Sequence, residues 1–106
     1  MNCWYVYIMA NKPNGVIYIG VTDNIEERIK EHKLKIRPNA FTARYNCNNL
    51  VYFEEFDNVD EAILREKRFK KWKREWKVRC IEEMNPSWMD LSMNWNLDYK
   101  RIRNER

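Results

Sequence analysis

Two tyrosines, an arginine, a histidine and a glutamate are spaced along this chain so that they could assemble a hydrolytic site. Tyr7 lies in Tyr5-Val6-Tyr7-Ile8 and Tyr18 in Ile17-Tyr18-Ile19-Gly20, two strand-like runs. Asn11-Lys12-Pro13-Asn14-Gly15 between them is a turn signal, because Pro presets φ and Asn-Gly tolerates positive φ. With residues 11–14 as a four-residue loop, Ala10 pairs with Gly15 and Tyr7 faces Tyr18, their Cβ atoms about 5 Å apart on one face. Alone, such a pair serves a hairpin as simple cross-strand packing. Arg28 follows Ile25 by three residues and His32 follows Ile29 by three, so both fall on or beside the apolar side of one helix. An inward cation needs a partner, unless Arg28 snorkels or His32 is a satisfied core histidine. Glu66 sits near the middle of a stripe made by Val59, Ala62, Ile63 and Phe69, with Lys70 one turn on. An exposed Glu66–Lys70 pair, worth about 0.2–0.5 kcal/mol, is one account of it. Holding a hard divalent cation together with water and a phosphate is another. A base for water, a metal for phosphate charge and a cation for the transition state are what phosphodiester hydrolysis asks for.

The elements that must position these groups follow from periodicity. Residues 4–9 and 16–21 read as strands. Thr22-Asp23-Asn24 offers caps, with Asp23 and Glu26 resembling a capping box, for a helix running to about Leu34. Its outer side, Glu26, Glu27, Lys30, Glu31 and Lys33, reads as solvated. Residues 35–49, with Pro38 and several Asn, read as loop, and residues 50–56 as a third strand. Asn58 or Asp60 caps a helix from about Val59 to near Trp76, with a further helical stretch to Met84 that Asn85-Pro86 stops. The order β-β-α-β-α-(α) predicts an α+β fold: a small three-stranded antiparallel sheet flanked by helices.

The chain has 106 residues, enough for one domain, and its 14% aromatic content argues for a core built from a few large rings. From Arg65 to Arg79 nine basic residues face only Glu66 and Glu75, a local charge of +7 in a chain of net +4. A solvated helix face and a polyanion-binding stripe both account for that run. Cys3, Cys47 and Cys80 are odd in number, far apart and without a CxxC, which argues against a disulfide framework or a zinc site and for a cytoplasmic protein with reduced thiols. The chain shows neither a signal peptide pattern nor an apolar run long enough to span a membrane.

With those residues in view, the sequence resembles the GIY-YIG nuclease superfamily, and within it the small stand-alone bacterial members. Tyr5-Val6-Tyr7 stands where the first motif belongs, and Tyr18-Ile19-Gly20 is the second. Residues 20–32 have the spacing of the motif helix with its Arg and His. Residues 62–72 look like the segment bearing a metal-binding Glu, and Asn85-Pro86-Ser87-Trp88-Met89-Asp90-Leu91 like the C-terminal signature. The match spans about residues 4–91, so residues 1–91 are expected to form the nuclease-like domain and 92–106 a basic, partly ordered tail. The resemblance implies the GIY-YIG fold and cleavage of nucleic acid, DNA ahead of RNA, by a monomer or weak homodimer. It implies that Tyr7 and Tyr18 activate or position water, that Arg28 contacts the scissile phosphate and that His32 stands close to the site. It also makes Glu66 the sole protein carboxylate on a single Mg²⁺ or Mn²⁺. Tyr5 departs from the motif's Gly, and Val21 stands where some family nucleases carry a Lys.

A tyrosine base needs its pKa lowered by two to three units, about 3–4 kcal/mol of phenolate stabilisation. One cation at about 4 Å and an effective dielectric of about 20 supplies about 4 kcal/mol, so Arg28 or a metal would suffice. Lys70, Lys73, Arg74 and Lys77 are the expected phosphate contacts. Two other functions fit the same residues: a nucleic-acid-binding module with the same fold and weak or no catalysis, and an interaction protein docking through Trp88 and Trp95. Plain packing of those tryptophans over the sheet is the alternative to docking. The hydrolytic reading requires the two phenols, Arg28, His32 and Glu66 to meet in one concavity.

Overall fold

The computed structural model describes residues 3–97. Three strands, β1 (Trp4–Ala10), β2 (Ile17–Thr22) and β3 (Asn49–Phe56), form one antiparallel sheet in the order β2-β1-β3. Four helices accompany it: α1 (Ile25–Leu34), α2 (Phe41–Arg44), α3 (Val59–Lys71) and α4 (Arg74–Met84). This is the α+β architecture that the periodicity predicts.

The β1–β2 hairpin differs from expectation in register. Ala10 pairs with Ile17, Met9 with Tyr18 and Tyr7 with Gly20. Asn11 is the reason, because its side-chain Oδ1 accepts from Val16 N (2.8 Å) while its own N donates to Val16 O (3.2 Å). Asn11 and Val16 therefore close the loop, which holds six residues rather than four. Asn14, not Gly15, takes the left-handed conformation (φ 57°). Gly15 is needed for space, since a Cβ there would lie 2.1 Å from Asn11 Oδ1. A shift of two residues preserves the face, so Tyr7 and Tyr18 remain on one side as diagonal neighbours, ring centroids 6.2 Å apart.

Of the three caps that residues 22–24 offer, Asn24 is the one used by helix α1, and the Asp23–Glu26 capping box is not. Thr22 Oγ1 accepts from Asn24 N (3.1 Å), which turns Asn24 Oδ1 to accept from Glu27 N (3.1 Å). Lys35 ends the helix in the left-handed region (φ 52°). Its outer side is not fully solvated: Lys30 and Glu31 are buried, Lys30 paired with Glu27 (3.3 Å) and Glu31 with Arg28 (3.4 Å), as buried charges require. The expected loop over residues 35–49 contains α2, a single turn with no side-chain cap to announce it. Asn58 caps α3 through Glu61 N (2.9 Å). That helix stops at Lys71 rather than near Trp76. Trp72 turns extended and folds its ring onto Phe69 (5.0 Å) and the Arg65 guanidinium (5.3 Å).

Strand alternation divides the core. Val6, Ile8 and Ala10 face α3 and α4 through Ala62, Phe69 and Ile81, and Tyr7 and Met9 face α1 through Ile25 and Ile29. The C-terminal signature clamps both layers. Asn85 Nδ2 donates to Val51 O (3.1 Å) and Met89 O (2.8 Å). Asp90 accepts from Lys33 Nζ (2.6 Å), Leu50 N (3.1 Å) and Ser92 Oγ (2.7 Å). Burial pushes the Asp90 carboxyl up, but these bonds outweigh it and hold it below the usual range. Trp88 is buried and donates to Glu82 (2.8 Å), and Trp95 packs on Phe53 (5.9 Å), so both tryptophans pack rather than present themselves. The expectation of a loose chain end falls beyond residue 97, outside the described residues. Among the described residues no helix is long and apolar enough to cross a membrane.

Gly20 faces Tyr7 across the hairpin, and a Cβ there would lie 2.6 Å from the Tyr7 hydroxyl and 2.7 Å from its Cζ. Tyr7 is fully buried, so its ring cannot move aside without displacing core neighbours or leaving the core. Gly20→Ala is therefore expected to destabilise the fold by about 1–3 kcal/mol, the range for overpacking, read as a lowered midpoint in urea unfolding.

Candidate active site

The site grows from the Tyr7–Gly20 contact. The missing side chain at Gly20 lets the Tyr7 ring lie across β2. Its hydroxyl then meets His32 Nε2 at 2.9 Å, and His32 Nδ1 meets Thr42 Oγ1 at 2.9 Å. Thr42 is buried at the start of α2. Burial raises the Tyr7 phenol, the neighbouring Tyr18 raises it further, and Arg28 only partly offsets both. The phenol is therefore neutral, and a neutral imidazole makes one of these two bonds as donor and the other as acceptor. His32 is pushed down from its ordinary value to about 4, by burial first and then by the charges of Arg28 and Arg37. It is neutral at pH 7. For Tyr7 the lowering by Arg28 is smaller than the rise caused by burial of the ring.

Tyr18 and His32 pack edge to face (5.6 Å). Together with Arg28 and Glu31 they line a cavity of about 150 Å³ completed by Lys35, Arg37, Phe41 and Thr42. Arg28 Nε pairs with Glu31, and about a third of the Arg28 side chain stays exposed. Beside the cavity, and sharing Tyr18 and Phe41 with it, runs an open groove of about 320 Å³ lined also by Ile17, Ile19, Lys70 and Lys77.

Three of the five expected groups, Tyr18, Arg28 and His32, line the cavity, and Tyr7 is fully buried behind it against His32 and Tyr18, so the requirement of one shared concavity is met only in part. Glu66 belongs to the other layer of the fold and does not line the cavity. On α3, Arg65 and Glu66 straddle the buried line of Ala62 and Phe69. Arg65 reaches β3 through Glu54 (2.9 Å), so Glu66 turns toward the β2 edge, where Lys70 lines the groove. Its side chain is 17% exposed and its Oε2 is 2.9 Å from Lys70 Nζ. Among the described residues no group of three or more His, Cys, Asp or Glu is placed to hold a metal ion. One half-buried carboxylate offers a cation a single protein oxygen, but Lys70 already pairs with it, so a divalent ion there would have to displace that ammonium and complete its shell with water and phosphate. Of the expected phosphate contacts, Lys70 and Lys73 are exposed and Lys77 half-buried. Arg74 instead donates to the hairpin carbonyls of Asn14 (3.0 Å) and Gly15 (2.6 Å). Sequence reasoning missed Thr42, Phe41 and Arg37. All three lie in the stretch read as loop, where no periodic signal marks which residues turn inward.

A hairpin whose two tyrosines converge with the Arg and His of the following helix, ahead of a helix carrying a glutamate, defines the GIY-YIG class. The family model described as the GIY-YIG catalytic domain matches residues 3–79, and the chain belongs to the GIY-YIG nuclease superfamily. More particularly, it is similar to UPF0213 proteins. It is 41% identical to one from Clostridium perfringens over 81 residues, 73% of this chain and 81% of the relative. To one from Staphylococcus haemolyticus it is 38% identical over 79 residues, 74% of this chain and 94% of the relative. A UPF0213 protein of Haloquadratum walsbyi is 34% identical over 79 residues, 74% of this chain and 86% of the relative. No solved structure matches.

His32 is the single histidine, so its imidazole resonances need no assignment. Its folded value of about 4 lies below its ordinary 6.5, so the stability that follows from keeping it neutral is present above pH 6.5. That stability is lost as pH falls toward 4, because the unfolded chain binds the proton first. An NMR titration is expected to show His32 neutral down to about pH 4. Thr42→Val is expected to change the tautomer balance seen in ¹⁵N shifts, since it removes the partner of Nδ1.

Proposed function

We propose that the protein is a divalent-metal-dependent endonuclease that hydrolyses phosphodiester bonds in nucleic acid, DNA before RNA. The observation that carries this reading is that Tyr18, Arg28 and His32 line one cavity, with Tyr7 hydrogen-bonded to His32 behind it, in a chain of this family. Arg28, partly exposed at the cavity, pairs with the scissile phosphate. Tyr18, which lines both the cavity and the groove, orients the attacking water. The proton of that water passes to the Tyr18 hydroxyl, that of Tyr18 to Tyr7, and that of Tyr7 to His32 Nε2. This relay suits the neighbouring rings of Tyr7 and Tyr18, whose centroids are 6.2 Å apart, and the 2.9 Å hydrogen bond between Tyr7 and His32. Thr42 then accepts from the Nδ1–H of the imidazolium. The Arg28 charge helps hold His32 at about 4 in the free protein. A phosphate against Arg28 cancels part of that charge and makes the imidazole a better base when substrate is present.

Glu66 would hold one Mg²⁺ or Mn²⁺, which when bound supplies neutralisation of phosphate charge. A single carboxylate predicts weak metal affinity without nucleic acid. The position of Glu66 outside the cavity lining and its pairing with Lys70 favour one second reading, a nucleic-acid-binding module with weak or no catalysis.

The two readings separate in one assay. With labelled DNA and RNA and Mg²⁺ or Mn²⁺, the nuclease cuts. Glu66→Gln abolishes cutting but retains binding, and Arg28→Ala loses rate by several powers of ten. A binding module cuts at no metal concentration. In either case binding is expected to weaken with salt at a log–log slope of about −0.9 per duplex phosphate neutralised, and Lys70→Ala, Lys73→Ala or Lys77→Ala each to flatten it.

A further inference from the structure

Helix α2 and its C-cap residue present two rings to water beside the cavity. Phe41 and Tyr45 stand four residues apart, so they share one face of the turn. Their centroids are 4.7 Å apart, yet Phe41 remains 44% exposed and Tyr45 45%. Phe41 lies 6.1 Å from Tyr18 at an interplanar angle of 31°, and the Arg44 guanidinium lies 6.0 Å from the Tyr45 ring. Single exposed apolar residues need no explanation, but this series begins at Tyr18 in the catalytic cavity and runs outward. Phe41 also forms a wall of the groove into which Lys70 and Lys77 project from the other layer. An aromatic face and ammonium groups across one open groove match the two halves of a nucleotide, a flat base and a phosphate.

We infer that Phe41, backed by Tyr45 and Tyr18, is a stacking subsite for one unpaired nucleobase next to the scissile phosphate, with Lys70 and Lys77 receiving the adjoining backbone. A base in a duplex has its faces covered by its neighbours and cannot occupy the subsite. An unpaired base can, whatever its identity, because every base has a π-face. The subsite selects substrate by strandedness rather than by sequence. This inference rests on the nucleic-acid reading above but not on hydrolysis.

The test is equilibrium binding in the presence of a chelator, so that no strand is cut. The probe is a short single-stranded oligonucleotide bearing a fluorescent purine analogue quenched by stacking, in deoxy and ribo versions. Comparators are its duplex and a strand with one abasic position. Stacking of one base is worth about 5–150-fold in affinity. Phe41→Ala and Phe41→Leu are expected to lose about that much on the single strand, with loss of the quench, and almost nothing on the duplex. Phe41→Trp keeps both affinity and quench. The abasic strand binds the unaltered protein more weakly, and Phe41→Ala adds no further loss. The deoxy and ribo versions identify which strand is taken by which shows the Phe41-dependent loss. Equal losses on single strand and duplex overturn the subsite, as does an abasic strand bound as well as the intact one. A dimer in sedimentation that Phe41→Ala dissociates also overturns it, because the rings would then serve a second copy. If the expected binding pattern holds while no metal supports cleavage, the hydrolytic reading falls and the subsite stands.

Discussion

The missing Cβ at Gly20 is the constraint on which the site depends. Tyr7 sits on the central strand, opposite Gly20, and its ring occupies the space that any side chain there would need. Because the ring lies flat across β2, its hydroxyl reaches His32, and because His32 is engaged on one side, its other nitrogen reaches Thr42. Strand, helix and short helix are thereby joined through one imidazole. The same burial that fixes the ring raises the phenol and lowers the imidazole, so both are neutral at pH 7. A neutral donor and a neutral acceptor avoid the cost of burying charge, which is why this polar chain can pass through a core.

The fold separates roles by layer. The odd-numbered face of β1, with α1, carries the phenol–imidazole chain and Arg28, whereas the even-numbered face, with α3 and α4, carries Glu66 and the lysines. The edge strand β2 is the border, and Tyr18 looks into the cavity on one side and the groove on the other. A phosphodiester crossing that edge could meet Arg28 from one layer and Lys70 from the other. The C-terminal signature sits far from this chemistry in role: Asn85 fixes the bulged strand β3 and Asp90 ties α1 to it.

The basic run divides in the same way. Arg65 is spent on Glu54 and on the faces of Phe69 and Trp72, and Arg74 on the hairpin carbonyls. Guanidinium groups suit such multidentate and stacked positions. The lysines, as mobile point charges, are left along the groove and the exposed side of the helices. Counting charge in the sequence finds the stripe but does not distinguish cations that hold the fold from those that face a partner.

What the sequence determined by itself was whatever depends on local periodicity and residue type. That covers three strands, the helices with an apolar face, the α+β class, and the motifs that bring Tyr7, Tyr18, Arg28 and His32 to one side. A period of two fixes the face of a strand residue whatever the register, so the phenols were correctly paired by side even though the loop was two residues longer than its turn signal suggested. Tertiary structure decided the rest. Asn11 set the hairpin register by reaching Val16 across the loop. Trp72 ended α3 by folding onto Arg65. Thr42 and Phe41 gained their places because a single turn of helix, too short to carry a pattern, is held against His32 and Tyr18. The protonation states were also beyond the sequence, because burial, which shifts them most, is a property of the packed molecule and not of any residue's neighbours along the chain.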